Sequence, residues 1–139
     1  MQFTDIRKRH ETVRSGTTVI GSARFLWVAP TEGEFRRYAN TAQASASGVG
    51  RESVVRGLTG WENVKVIDLL PEYENAEERL EFTRECAAAL LDVRLDWLDV
   101  LIIDVLKKYD ERKEVIAQEV KKRASVSNGK SASAEQVNS

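Results

Sequence analysis

The chain has 139 residues, enough for one core, with 31% charged and 42% apolar residues and a formal net charge of −1. That balance excludes a whole-chain electrostatic attraction to nucleic acid or anionic lipid. One cysteine, Cys86, excludes an intramolecular disulfide and points to a reducing compartment, and one histidine, His10, excludes metal sites built on paired histidines.

Residues 1–11 are polar and read as loosely ordered, with room for a short helix around Asp5 to Arg9. Met1 to Arg14 lacks the layout of a signal peptide. Thr12 to Ala29 is rich in Val, Thr, Ile, Phe and Trp, which favours extended chain. Ser15-Gly16-Thr17 fits a hairpin turn, with Phe25, Trp27 and Ala29 alternating on the second strand. Two strands alone are marginal in water, so helices must cover them.

Pro30-Thr31-Glu32 opens a helix running to about Ala42, with Thr31 capping and Glu32 and Glu34 at the positive end. The small residues Ala42 to Gly50 read as a flexible loop. A short helix over Arg51 to Leu58 should end near Gly60, and the Gly-Trp-Glu at 60–62 reads as a turn. Val64 to Leu70 is apolar and fits either element, and Pro71 marks a break. Asn75 can cap a helical piece through Arg79, and Thr83 a helix to about Asp92.

The longest helix covers roughly Leu95 to Arg123, continuous with the previous one or separated from it by a short break. Leu91, Leu95, Leu98, Ile102, Val105 and Tyr109 recur at helical spacing, and Trp97, Val100, Leu101 and Leu106 widen the apolar arc. Ala124 to Ser139 has almost no large apolar residue and reads as a disordered tail. The fold class expected is mainly α: one small helical domain over 1–123, with a short N-terminal β-hairpin or extended segment and a long C-terminal helix.

No constellation for catalysis stands out, and nothing calls for a cofactor. Asp92, Asp96 and Asp99 share a face at i, i+4 and i+7, but three carboxylates without a fourth ligand read better as a solvated face than as a cation site. Cys86 among alanines reads as an inert core thiol. Gly48-Val49-Gly50 lacks the strand and the Gly-Lys-Ser/Thr ending of a phosphate loop. The basic runs Arg7-Lys8-Arg9 and Lys121-Lys122-Arg123 have no interleaved aromatics, which speaks against specific nucleic-acid binding. Trp61 reads as closing its turn on the core, with a surface anchor as the other reading.

Charge is uneven along the chain. Eight acidic residues face three basic ones from Glu62 to Glu85, and seven basic face four acidic from Lys107 to Arg123. Two solvated faces are the plain reading, and head-to-tail self-association the sharper one. The longest apolar-rich run, Trp97 to Leu106, is broken by Asp99 and Asp104 and falls short of the ~20 residues of a membrane span. The wide arc means either a helix buried centrally in the domain or apolar surface shared with another polypeptide, and the second is the reading taken. The expected partner-binding residues are Trp97, Leu101, Val105 and Leu106, with Tyr109 and Ile116 further along.

Gly60-Trp61-Glu62-Asn63-Val64 after Val54-Val55-Arg56-Gly57 resembles the tail assembly chaperones of long-tailed, siphovirus-type bacteriophages. In that family an apolar helix leads to a Gly-Trp-Glu-x-Val turn. A polar loop follows, then a helix of the type Phe-Thr/Ser-x-Glu-x-x-x-x-Leu-Leu. Phe82, Thr83, Glu85, Leu90 and Leu91 match the last part, and Phe25, Trp27, Pro30 and Thr31 resemble the family's entry from extended chain into helix. Val66-Ile67-Asp68 departs from the family's Asp-Gly after the turn. The resemblance implies a non-enzymatic, largely helical, self-associating protein of the host bacterial cytoplasm. Its client would be the tape measure protein, with the tail tube protein as a further partner. Many members are made in two lengths by a programmed frameshift, and Gly129-Lys130 is a place where slippery codons could fall. The other function class in view is a small phage-encoded regulatory or nucleic-acid-binding protein.

Overall fold

The computed structural model describes residues 1–41 and 46–135, with side chains for 1–41 and 48–125. The elements in order are α1 (Phe3–Arg14), β1 (Ser15–Ile20), β2 (Ala23–Val28), α2 (Glu32–Thr41), α3 (Ala46–Gly57), β3 (Leu58–Glu62), α4 (Val66–Leu69), α5 (Arg84–Val93) and α6 (Leu95–Glu135). Two units follow from this chain, Met1–Tyr109 and a second beginning at Asp110, and α6 contributes to both. The protein is mainly helical, and its sheet exceeds the expected hairpin: three antiparallel strands lie in the order β1-β2-β3.

The hairpin forms where expected, but its turn is Gly21-Ser22, not Ser15-Gly16-Thr17. Ile20 pairs with Ala23, and Gly21 takes a φ of +60°. A two-residue loop with positive φ at its first position suits glycine there. Gly16 instead lies within β1 opposite Trp27, and a Cβ on it would sit 2.2 Å from the indole ring. It is a glycine because an aromatic ring lies over it.

β3 occupies the residues read as a helix end and a Gly-Trp-Glu turn. Phe25 pairs with Trp61 and Leu26 with Gly60. Trp27 pairs with Leu58, which leaves Thr59 as a bulge. The chain reverses afterwards, at Asn63, whose φ is +60°. Asparagine tolerates that left-handed conformation better than most residues.

Two capping readings hold in detail. Thr31 Oγ1 accepts from the Glu34 amide at 3.1 Å while Glu34 Oε1 accepts from the Thr31 amide at 2.9 Å, a capping box at the start of α2. Thr83 Oγ1 accepts from the Cys86 amide at 3.0 Å and starts α5. Arg84 then caps a different helix: its guanidinium donates to the carbonyls of Val55, Arg56 and Leu58, at the end of α3.

Other boundaries differ from expectation. Residues 3–14 form α1, longer than the short helix allowed for, although nothing on it is buried. α3 starts five residues before Arg51, so Gly48-Val49-Gly50 is helical, while 42–45 of the expected loop lie outside the described residues. A Cβ on Gly50 would sit 2.9 Å from Ile102 Cγ2, so the glycine permits α3 and α6 to approach closely. Asn75 starts a turn rather than a helix, its Oδ1 accepting from the Glu77 amide at 3.1 Å. Extended pairing overrides helix in that stretch: Val66 N donates to Glu78 O, Leu80 N donates to Val64 O, and Lys65 bridges Arg79. Arg94 separates α5 from α6, which turns Leu95 out of the expected stripe into solvent. α6 continues through Ala124 as far as Glu135, into the segment whose composition suggests a disordered tail.

The core of the first unit gathers Phe25, Trp27, Val54, Leu58, Leu90, Leu91, Leu98 and Leu101. Phe25 is central. It meets the edge of Trp61 at 6.1 Å and that of Trp97 at 5.6 Å, and Trp61 meets Phe82 at 5.0 Å.

Candidate partner-binding surface

Four of the six expected partner-binding residues are core residues of this chain. Leu101 and Val105 are fully enclosed, and Trp97 and Tyr109 are 7% and 6% exposed. Leu106 is half-buried, and only Ile116 is openly exposed, at 52%. The arc of α6 is indeed wider than one partner helix could cover, but four elements share the work. β1 reaches it through Thr18, which donates to Asp104 Oδ2 at 2.7 Å. β2 reaches it through Phe25 on Trp97. α2 reaches it through Phe35, stacked on Tyr109 at 4.5 Å and 13°. α3 reaches it where Gly50 meets Ile102. Local periodicity measured the arc correctly but could not count these neighbours, because the hairpin strands, α2 and an early start to α3 supply much of the cover.

The apolar surface that remains is different. In the first unit Val100 and Ile103 stand exposed on α6, Ile103 at 67%, one helical turn apart. In the second unit Val115, Ile116 and Val120 are exposed, with Ile116 and Val120 on one side at i and i+4. Ile103, Val115 and Val120 were not among the expected residues. Ile103 and Val115 are apolar residues off the Leu98-Leu101-Val105 stripe, whereas Val120 continues it together with Ile116, where the stripe narrows beyond Tyr109.

Two of the three candidate carboxylates, Asp92 and Asp96, are held in ion pairs. Asp92 lies on α5 and Asp96 and Asp99 on α6, so the break at Arg94 interrupts the helical face expected to hold all three. Asp92 pairs with Arg51 at 3.5 Å. Arg94 grips both oxygens of Asp96 at 3.1 and 3.0 Å and lies 4.1 Å over the Trp97 ring. The bond to Arg94 holds the Asp96 carboxyl below its ordinary range, and the bond to Asp96 raises the Arg94 guanidinium in turn. Among the described residues, no group of three or more His, Cys, Asp or Glu could hold a metal ion.

Burial, and then the neighbouring Glu85, push the half-buried Cys86 thiol up, away from the thiolate a nucleophile needs. His10 is exposed on α1. Trp61 is half-buried, and its Nε1 donates to Leu80 O at 2.7 Å, so it fastens the 64–80 loop to the sheet. A cleft of about 230 Å³ lies between α1 and α3, with Arg14, Tyr38 and Arg56 on its wall. Its cations are committed, Arg14 to Ala29 O and Glu34, Arg56 to Glu52 and the face of Tyr38. Among the described residues no helix is long and apolar enough to cross a membrane. No family model, curated protein or solved structure matches the chain.

Proposed function

We propose that this chain is a tail assembly chaperone of a long-tailed bacteriophage. It binds the tape measure protein and promotes assembly of the tail tube, with the tail tube protein as a further contact. It acts without catalysis, as a homo-oligomer in the host bacterial cytoplasm. The order of motifs from Val54 through Leu91 supports this reading, as does the largely helical build.

The observation that carries it is the exposed apolar set Val115, Ile116 and Val120 on α6. A long client with helical apolar stripes, prone to aggregate alone, is served by such a helix face laid along it. The binding residues are therefore moved from the buried Trp97, Leu101, Val105 and Tyr109 to Ile116 and its exposed neighbours.

The test is co-expression with the tape measure protein encoded in the same genome. The client stays soluble with the wild-type chain and precipitates with an Ile116→Asp, Val120→Asp variant that folds normally. Equal precipitation of the client with and without this chain sinks the reading.

A further inference from the structure

α1 is a helix of 12 residues with no buried residue. A helix of that length is marginal in water on its own. It is anchored at its C-terminal end, where Arg14 O accepts from the Ala29 amide and the Arg14 guanidinium donates to Ala29 O, each at 2.8 Å, and pairs with Glu34 at 3.4 Å. Phe3, Ile6 and Val13 fall on one side of it and are 71%, 48% and 43% exposed. Arg7 and Arg9 flank that stripe on its two margins, and the helix carries four basic residues against two acidic ones.

The same unit holds a surface of the opposite sign. From Pro71 to Glu85 six acidic residues stand against two basic ones, and Glu72, Glu74 and Glu81 are exposed. Exposed Leu70 adjoins them, giving this face an apolar contact point. The segment is held in shape by backbone bonds between Val66 and Glu78 and between Leu80 and Val64, by Tyr73 Oη donating to Glu78 at 2.7 Å, and by the Lys65–Glu77 pair. It is a preformed acidic face rather than a loose loop.

We infer that α1 docks onto the Leu70–Glu85 face of a second copy of this chain. The basic margins of the apolar stripe meet the carboxylates, and Phe3 and Ile6 meet Leu70. Any solution of the protein holds both faces at equal concentration, and their charges complement each other. Because the two surfaces differ, the contact is heterologous, and it propagates into a ring or an open chain instead of stopping at a symmetric pair. The inference rests on the self-association in the proposed function and names its contact, but it concerns neither α6 nor a client, so its failure leaves the co-expression test untouched.

Sedimentation velocity on the full chain tests it, using Arg7→Glu with Arg9→Glu as one variant and Glu72→Lys with Glu74→Lys as the other. All four side chains are exposed, and unchanged circular dichroism and melting confirm that each variant folds. The wild type associates with rising concentration. That association weakens about tenfold or more as salt rises from about 0.1 M to about 1 M, where the screening length falls from about 10 Å to about 3 Å. Each variant alone stays monomeric, and mixing the two restores association, because each reversed face then finds its complement. A wild type that is monomeric throughout overturns the proposal. So does association that neither reversal weakens, or a mixture that stays dissociated. Retention of a monomeric wild type on anionic vesicles or duplex DNA, abolished by the α1 variant, also overturns it and assigns α1 to that partner instead.

Discussion

Thr18→Val tests how the sheet is coupled to α6. Thr18 is 2% exposed, and its hydroxyl accepts from Trp27 Nε1 at 2.9 Å while donating to Asp104 Oδ2 at 2.7 Å. Valine keeps the shape and removes the hydroxyl. The buried indole N–H is then left without a partner, which costs about 1–3 kcal/mol. Asp104 is half-buried and recovers water, so its loss lies near the low end of about 0.5–1.5 kcal/mol. The added methyl group offsets up to about 0.8 kcal/mol. The net is about 2 kcal/mol, a large part of a domain stability of about 5–15 kcal/mol. Urea unfolding followed by tryptophan fluorescence should show the midpoint falling by about 1 M with an unchanged slope, for a slope near 2 kcal/mol/M. Thr18→Ser keeps the hydroxyl and should lose only about 1 kcal/mol, from the missing methyl. A Thr18→Val protein as stable as wild type, or a Thr18→Ser protein less stable than Thr18→Val, refutes the reasoning.

Leu101→Ala should lower stability by about 3 kcal/mol, as truncation of a fully enclosed leucine does, while Ile116→Ser stays within about 0.5 kcal/mol of wild type in the same urea series. Gly57→Ala places a Cβ 2.5 Å from the Val28 carbonyl oxygen, an atom fixed in the backbone, and should cost about 2 kcal/mol. Gly33→Ala meets nothing closer than 3.5 Å and should gain about 0.5 kcal/mol from helix propensity, both being read from thermal midpoints. The Asp96 carboxyl is lowered in the folded state, so its contribution is present above the ordinary carboxylate range and is lost as pH falls through the lowered folded value. The stability difference between wild type and Asp96→Asn, small because the pair is exposed, should therefore vanish in acid and shrink in salt.

The sequence was most legible where a side chain satisfies its own neighbourhood. Thr31 with Glu34 and Thr83 with Cys86 mark helix starts through bonds spanning three residues, and such bonds are written in the local pattern. The alternation of Phe25, Trp27 and Ala29 is local in the same sense, and all three are buried. Legibility failed where distance along the chain decides. Gly60-Trp61-Glu62 reads as a turn until β2, more than thirty residues earlier, draws it straight by pairing Phe25 with Trp61. Gly16 reads as a hairpin turn and Gly50 as part of a flexible loop, yet both are seats for a distant side chain, Trp27 in one case and Ile102 in the other. The candidate surface shifted for the same reason. Spacing along α6 identifies its apolar residues, but which of them stay uncovered depends on Thr18, Phe25, Phe35 and Gly50, all of them at least 45 residues away.

The central strand of the sheet is made early and completed late. Once the ribosome has released Val28, the β1–β2 hairpin can close. Its outer partner, β3, begins only at Leu58, thirty residues later. At about 5–20 residues per second that interval lasts roughly 2–6 s. Throughout it, one long edge of β2 lies open, and the oily side bearing Phe25 and Trp27 still lacks α6, whose synthesis has yet to begin. The nascent hairpin is thus the stage at which this chain is most vulnerable to sticking to its neighbours on a polysome.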